Sequence, residues 1–293
     1  MIIIDNPYGE LSNGFWVKGN LHSHSTRSDG SRKPQEVIDD YARHGYDFLA
    51  LSDHDTLNDE AFLASLDARG LILVPANEIS ANGPHMLHIG ARTLVPPDPS
   101  RQVVIDTVAR EGGFTVMNHP NWFASYDHCS FKNLIDWNGY RGIEIFNGVV
   151  VSLEGSAYAT IKWDRVLSAG RRVWGFANDD SHAPEHDQLA WNVAYVRERT
   201  PAAVVAALEQ GAFYASTGVV IDNIAVTGDR IAISAKGAGR ISAYMHDGKR
   251  FAFADAPSLE VAVPADARYA RFECWGNGEQ VAWTQPFFVR EAP

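Results

Sequence analysis

The first 215 residues alternate short apolar runs with amphipathic stretches, and this alternation restricts the fold more than any other feature. The apolar runs are nearly continuous, which is typical of strands that are covered on both faces. The stretches between them carry helix signals; Pro34 opens one of them and Gly45 ends it. The pattern therefore predicts an α/β fold in which helices cover a parallel sheet that closes as a barrel.

The sequence changes in character near Thr217. Beyond that residue, short alternating strands are separated by Gly, Asp and Pro turns, and no helical pattern occurs. The predicted strands are 224–226, 231–234, 240–245, 259–263, 269–274 and 286–289. We therefore predict two domains: residues 1–217 form the barrel, and residues 218–293 form a small antiparallel, β-sandwich-like domain.

Charge and cysteine content exclude several functions. Lys and Arg total 25 and Asp and Glu total 36, which gives a formal net charge of −11. An acidic protein repels polyanions, so we expect no binding to long nucleic acid or to a membrane. A small anionic substrate is still compatible, because bound metal ions invert the local field. Two cysteines cannot build a disulfide framework, and no signal-peptide or transmembrane pattern is visible, so we expect a cytoplasmic protein.

Histidines and acids directly follow several predicted strands. His22 and His24 end the first strand, and Asp180 and His182 follow the strand at 173–177. The other candidates of this kind are Asp29, His54, Glu78, His85, His88 and His119. Because the carboxyl ends of barrel strands meet on one face, these side chains should converge. Imidazoles and carboxylates together are ligands for zinc, manganese or iron alike, and their number suits two or three divalent ions.

Six motifs, in this order, resemble those of the PHP (polymerase and histidinol phosphatase) superfamily of metal-dependent hydrolases. They are H-S-H-S-T-R-S-D-G at 22–30, S-D-H-D-T at 52–56, N-E-I-S at 77–80, N-H-P at 118–120, I-E-I-F-N at 143–147 and D-D-S-H at 179–182. Two later segments, A-S-T-G at 215–218 and A-W-T-Q-P-F-F-V at 282–289, resemble the CehA/McbA-like branch. The resemblance implies a distorted (β/α)7 TIM-like barrel of PHP type that holds two or three divalent ions (Zn, Mn or Fe).

The resemblance also implies a ligand set for each ion. The first ion would be held by His22, His24, Glu78 and Asp180. Glu78 would bridge to a second ion, held also by His119 and by either His85 or His88. The third would be held by Asp29, His54 and His182. His85 has the spacing typical of the CehA/McbA-like branch, and two residues at this separation should point to opposite sides of a strand, so we expect one ligand here. We expect Asp53 and Asp55 to orient imidazoles.

We predict a phosphoesterase that cleaves a phosphodiester or phosphomonoester of a small molecule or nucleotide by means of a metal-bridging hydroxide. Asp180 and His182 are the candidates for proton transfer, and Arg27 is the candidate for holding the phosphate. Trp122 and Phe123 are candidates for a wall of the substrate pocket. Two alternatives stay open: a carboxylester or carbamate hydrolase with the same metal centre, and a non-catalytic metal-binding module. The sequence leaves the oligomeric state open.

Overall fold

The computed structural model describes residues 2–9 and 11–291, and its architecture is mixed α/β. The strands are β1 Ile2–Asp5, β2 Phe15–Asn20, β3 Phe48–Leu49, β4 Ile72–Leu73, β5 Ala76–Ile79, β6 Met86–Ile89, β7 Phe114–Met117, β8 Gly142–Asn147, β9 Trp174–Asn178, β10 Trp191–Val196, β11 Phe213–Ser216, β12 Val220–Thr227, β13 Arg230–Lys236, β14 Arg240–Met245, β15 Lys249–Ala254, β16 Ser258–Ala262, β17 Tyr269–Trp275, β18 Val281–Thr284 and β19 Phe287–Glu291. The helices are α1 Pro34–Arg43, α2 Glu60–Ala64, α3 Arg101–Glu111, α4 Phe131–Asp136, α5 Thr160–Ser168 and α6 Pro201–Gln210.

The strands form three sheets rather than one parallel sheet. The largest has the order β1-β19-β17-β18-β11-β10-β2-β3-β4, with β14 and β15 attached beside β17. The second has the order β5-β6-β7-β8-β9, and the third has the order β12-β13-β16. Only the pairs β2–β3, β3–β4, β7–β8 and β8–β9 are parallel. Strand pairing among the described residues does not join the first two sheets, so a closed barrel is not seen.

Apolar side chains from both large sheets nevertheless share one core. Val17 of β2 and Phe48 of β3 belong to the same buried cluster as Leu87 of β6, Val116 of β7 and Phe176 of β9. This packing holds the two sheets face to face, because their inward side chains leave water together. The carboxyl ends of β2, β7 and β9 are thereby placed close to one another.

Helix α1 shows how the local sequence places an element outside this core. Pro34 occupies the first helical turn, and the Lys33 backbone N–H donates to the Glu36 carboxylate at 2.7 Å. Val37, Ile38 and Tyr41 are buried on the side that faces the strands. Among the described residues, no helix is long and apolar enough to cross a membrane.

The segment beyond Thr217 is all-β, as its pattern predicts, apart from a single 3₁₀ turn at His246–Gly248. Strands β12, β13 and β16 form a sheet of their own, whereas the other strands of this segment belong to the largest sheet. β18 pairs with β11, and the N-terminal strand β1 pairs with the last strand, β19. Backbone hydrogen bonds therefore cross the predicted boundary at 217/218, and the division into domains stays a prediction.

Candidate metal centre

The predicted ligands are brought together at the ends of the strands. His22 and His24 follow β2, His119 follows β7, and Asp180 follows β9. His119 and Asp180 both have positive φ, at 25° and 56°. Non-glycine residues adopt such backbone conformations uncommonly, and they tend to do so at functional sites where the surroundings hold them. His119 and Asp180 both contact the same group of imidazoles and carboxylates: His119 Nε2 is 3.4 Å from Glu78, and Asp180 is 3.2 Å from His22.

The carboxylate of Glu78 lies at the centre of the cluster and is fully buried. Its Oε1 is 3.3 Å from His22 Nε2, 3.3 Å from His85 Nδ1 and 3.4 Å from His119 Nε2. Its Oε2 is 2.6 Å from His54 Nδ1. One carboxylate therefore meets imidazoles that come from four separate segments of the chain.

Asp180 and Asp29 extend the cluster on the other side. Asp180 Oδ1 is 3.2 Å from both His22 Nε2 and His24 Nε2. Asp29 is 3.5 Å from His54 Nε2 through one oxygen, and 3.5 Å from His182 Nε2 through the other. All the predicted ligands except His88 are thus brought into one connected cluster.

The donor atoms fit divalent metal ions. They form overlapping groups in which all potential ligand atoms lie within 4.8 Å of one another: His22, His24 and Asp180; His22, Glu78 and His119; His54, Glu78 and His85; and His24, Asp29, His54 and His182. Several of these atoms are buried without a hydrogen-bond partner, namely His22 Nε2, His24 Nε2, His54 Nδ1, Glu78 Oε2 and Asp180 Oδ1. Buried polar atoms are normally paired, so lone pairs that converge in this way are those of a cation site.

Residues behind the cluster fix the orientation of its imidazoles. The ring of His22 contacts Glu144 Oε1 through Nδ1 at 2.8 Å, so its Nε2 faces Glu78 and Asp180. Asn147 Nδ2 donates to the other oxygen of Glu144 at 2.9 Å and to Asp180 Oδ2 at 3.2 Å. A carboxylate behind an imidazole sets the tautomer and raises the basicity of the nitrogen that ligates.

The carboxylates also make the cluster favour positive charge. Burial opposes protonation of His22, but the negative charges of Asp180, Glu144 and Glu78 outweigh it and hold its pKa well above the usual range. Burial likewise opposes protonation of His54, whereas the neighbouring carboxylates of Asp29 and Glu78 raise its pKa to about 10. A metal ion would supply the positive charge that protons supply otherwise.

Asp53 and Asp55 hydrogen-bond to loops and not directly to imidazoles. The Asp53 carboxylate accepts hydrogen bonds from Ser25 N, Ser25 Oγ, Ser28 Oγ and Asn58 Nδ2. The Asp55 carboxylate accepts from Ser80 N, Ser80 Oγ and Ala81 N. The first holds the loop that carries His24, and the second holds the loop that leads to His85. Asp53 is linked to an imidazole through Ser28, whose Oγ lies 3.5 Å from His24 Nδ1, so the predicted orientation of imidazoles would be indirect.

The structure separates His85 from His88. His85 Nδ1 lies 3.3 Å from Glu78, whereas His88 belongs to β6, where Leu87 is the register partner of Glu78. His88 therefore points to the opposite face of the sheet, and its Nε2 hydrogen-bonds the Gly112 carbonyl at 2.8 Å. His88 does not reach the cluster.

Substitution of these two histidines should separate metal binding from stability. We expect His85→Ala to lower the number of divalent ions bound per chain, because it removes a donor next to Glu78. We expect His88→Leu to leave metal content unchanged and to lower the free energy of unfolding by about 1–3 kcal/mol, because the Gly112 carbonyl loses the hydrogen bond from the buried His88 ring. Metal analysis and urea denaturation of both variants check this, and loss of metal from His88→Leu would contradict the assignment.

Arg27 does not reach the cluster either. Its guanidinium donates to the Leu57 carbonyl at 3.2 Å and lies over the Phe62 ring at 3.9 Å from the centroid. The cavity beside the cluster has a volume of about 270 Å³. The residues that line it are Asp29, His54, Glu78, His85, His119, Trp122, Val149, Val150, Leu153, Asp180 and His182. No Lys or Arg is among these described lining residues, so the structure gives no cationic side chain for the phosphate.

Three supporting residues are not evident from the sequence. His128 Nε2 accepts a hydrogen bond from the backbone N–H of His85 at 2.9 Å. The buried Arg101 donates to the carbonyls of the loop before His85, at Ser80, Ala81 and Pro84. The Lys162 ammonium likewise donates to backbone carbonyls of the loop after His119. These residues act on backbone carbonyls and amides that become neighbours only after folding, so no motif marks them.

Comparison with known proteins agrees with this class of site. No family model matches the chain. A 3′,5′-nucleoside bisphosphate phosphatase from Chromobacterium violaceum is 37% identical over 94 residues, which are 31% of this chain and 33% of that protein. A 5′-3′ exoribonuclease from Haemophilus influenzae is 43% identical over 67 residues, which are 22% of this chain and 24% of that protein. The chain therefore spans only a third or less of the length of these relatives.

One solved structure is similar over almost the whole chain. It is a protein from Bacteroides vulgatus described as a two-domain protein containing a predicted PHP-like metal-dependent phosphoesterase, and the likeness covers 94% of this chain and 96% of that one, with a TM-score of 0.56 and 16% identity. The two chains share a fold. The matched phosphatase and exoribonuclease both cleave phosphoesters, the class of reaction that the sequence predicts. The CehA/McbA-like branch stays a prediction.

Proposed function

We propose that this protein is a metal-dependent phosphoesterase of the PHP type that acts on a small-molecule phosphoester. The observation that carries the proposal is the set of overlapping donor groups around Glu78 and Asp180, whose buried lone pairs converge without hydrogen-bond partners. The phosphoester-cleaving relatives support it. A distorted (β/α)7 barrel for residues 1–217, a separate β-domain for 218–293 and the CehA/McbA-like branch are further parts of this proposal.

We assign the donors to two or three ions. The first set is His22, His24, Glu78 and Asp180; the second is Glu78, His85 and His119; the third is Asp29, His54 and His182. Divalent ions supply two effects in such sites: they lower the pKa of water toward neutrality, and they offset the negative charge that grows on phosphoryl oxygens. Their identity among Zn, Mn and Fe is left to metal analysis.

His182 and Asp180 are the residues that we propose for proton transfer. The His182 ring contacts the Asp180 carbonyl through Nδ1 at 2.8 Å, so Nδ1 carries the hydrogen and Nε2 presents its lone pair. His182 also lines the cavity. With two ions bound, this Nε2 is free to take a proton and return it to the departing oxygen. With three ions bound it is a ligand, and the Asp180 carboxylate takes that role.

The negative net charge favours a small substrate. With a net charge of −11, long-range repulsion disfavours long nucleic acids and anionic membranes. A short phosphoester, whose charge the bound ions offset, does not meet this barrier.

The decisive experiment combines metal analysis with three assays. Protein loaded with Mn(II) or Zn(II) is tested against bis-p-nitrophenyl phosphate, p-nitrophenyl phosphate and p-nitrophenyl acetate. Two or more ions per chain with cleavage of a phosphate ester is the expected result. A chain that binds no divalent metal would overturn the proposal and would leave the non-catalytic metal-binding module without support as well.

One observation favours a second candidate, a carboxylester or carbamate hydrolase with the same metal centre. The described residues that line the cavity include no Lys or Arg, and a neutral ester needs no cationic side chain to hold it. Cleavage of p-nitrophenyl acetate alone, by protein that retains its metal, would replace the phosphoesterase with this candidate.

A further inference from the structure

Two aromatic side chains form a surface that leads from the donor cluster to the solvent. The rings of Trp122 and Phe123 stack with centroids 4.3 Å apart and an interplanar angle of 24°. Trp122 lies beside His119 and His85, with centroid distances of 5.1 and 5.8 Å. Phe123 is 43% exposed. We call this pair the aromatic shelf.

Aliphatic side chains also line the cavity. Val149 and Val150, in the 3₁₀ turn Val149–Ser152, line the cavity together with Leu153, which is 47% exposed. The shelf and the segment that carries these aliphatic side chains are joined where Trp122 and Gly155 form an isolated antiparallel bridge. The shelf and the aliphatic side chains therefore belong to one continuous apolar mouth.

The join leaves no space for a side chain at residue 155. A Cβ on Gly155, whose φ is +104°, would lie 2.2 Å from the Asn121 carbonyl oxygen. Only glycine allows the two loops to approach this closely at that backbone angle.

Hydrogen bonds from Lys162 hold the loop that carries the aromatic shelf. Its ammonium donates to the carbonyls of Pro120, Tyr126 and Cys129 at 2.8, 2.9 and 2.7 Å. Phe123 and Tyr126 have φ of 75° and 56°, a conformation that is costly for aromatic residues. Backbone in such a conformation persists only where surrounding contacts determine it, so the shelf is preorganised before any ligand binds.

The charges around the cavity set a second condition on the ligand. Its ionisable lining residues are the acids Asp29, Glu78 and Asp180 and four histidines, and none of the described lining residues is Lys or Arg. A phosphomonoester dianion would bring two charges that only metal ions could offset. A phosphodiester carries one charge, and it has a second substituent that can occupy the apolar mouth.

Starting from the proposed phosphoesterase function, we infer that the substrate is a monoanionic phosphodiester that carries a planar apolar group. This group lies on the aromatic shelf and faces Leu153, while the phosphoryl group faces the donor cluster. Trp122 and Leu153 are then specificity-determining residues. The apolar side chains that line the cavity offer a shaped surface for packing but no hydrogen-bond donors or acceptors. They therefore favour an aryl group over a nucleobase, whose edge carries hydrogen-bonding groups.

The test is a comparison of two monoanions that have no P–O ester bond to cleave, methyl(1-naphthyl)phosphinate and dimethylphosphinate, by calorimetric titration of the Mn(II)-loaded protein. We expect the naphthyl compound to bind at least about tenfold more tightly, the range that a shaped apolar pocket provides. Trp122→Ala should bring the ratio of the two affinities close to one. Leu153→Ser should also lower this ratio, because it removes apolar surface from the aliphatic part of the mouth. Val103→Ala, a matched control on α3 at a 50% exposed valine outside the cavity, should leave the ratio unchanged.

The outcomes separate this inference from the proposed function. Equal affinity for the two phosphinates in the unmodified protein, or an unchanged ratio in both Trp122→Ala and Leu153→Ser, would overturn the inference even if phosphodiesters are cleaved. A retained naphthyl preference that depends on Trp122, in a protein that binds metal but cleaves no phosphate ester, would support the shelf and reject the phosphoesterase. Metal content of each variant, measured on the same sample, shows whether the donor cluster is intact.

Discussion

Replacement of Glu78 with alanine should lower the metal bound per chain and reduce phosphoester hydrolysis by more than about 100-fold. Loss of a partner behind the ligands typically costs about 10–100-fold in metal affinity or activity. Glu78 lies nearer to the proposed metal ions than a residue behind the ligands does. Its Oε1 contacts His22, His85 and His119, and its Oε2 contacts His54. It belongs to two of the donor groups, so its removal should impair two ions together.

Metal analysis, hydrolysis of bis-p-nitrophenyl phosphate and far-ultraviolet circular dichroism of Glu78→Ala check this result. The matched control is Glu185→Gln, an exposed glutamate in the 3₁₀ turn Pro184–His186, just beyond His182. It should retain metal and activity. A Glu78→Ala variant with full metal content and full turnover would show that the cluster around Glu78 is not the reaction centre.

The parts of the fold that could be predicted are those with local signals. Helix α3, Arg101–Glu111, ends at Gly112, and helix α6, Pro201–Gln210, has Pro at its start and Gly211 in the left-handed conformation at its end. The sequence predicts helices over 101–111 and 201–210, and both have these bounds, because propensity and end signals act within the chain segment. Strands β1, β6, β11, β15 and β18 are absent from the prediction, because short strands depend on their partners; β1 is paired with β19, more than 280 residues away.

The same distinction applies to the candidate site. Ligand candidates such as His22 and Asp180 stand in recognisable motifs next to strands, so their convergence could be predicted from chain order. The choice between His85 and His88 needed the register of β5 with β6, which places Leu87 opposite Glu78. Lys162 and Arg101 act through backbone carbonyls, and neither their sequence position nor their charge indicates this. The cationic role expected of Arg27 depended on side-chain direction, and its guanidinium packs on Phe62 instead.

The second large effect is on stability and comes from a buried ionic network between α5 and β17. Arg271 donates to both oxygens of Asp164, from Nε at 2.7 Å and from Nη2 at 2.6 Å, and to Glu273 from Nη1 at 2.7 Å. Tyr269 donates its hydroxyl to Asp164 at 2.8 Å. Burial opposes the charge on Arg271, but the two carboxylates outweigh it and raise its pKa. The network joins a helix before the predicted boundary at 217/218 to a strand after it.

Arg271→Ala should therefore lower the free energy of unfolding by about 3–5 kcal/mol, because it leaves the carboxylates of Asp164 and Glu273 buried without their cation. Arg240→Ala is the control: its partner Asp255 is exposed, so the loss should stay within about 1 kcal/mol. Urea denaturation in the presence of a chelator measures both, since bound metal would add its own stabilisation. If residues 218–293 unfold independently of the rest, the denaturation curve should show two unfolding transitions, and Arg271→Ala should shift one of them. If the curve shows one transition and Arg271→Ala shifts it, the network and the shared sheet make the two parts one cooperative unit. A loss no larger than that of Arg240→Ala would show that water reaches the network and that the contact between α5 and β17 is not held by it.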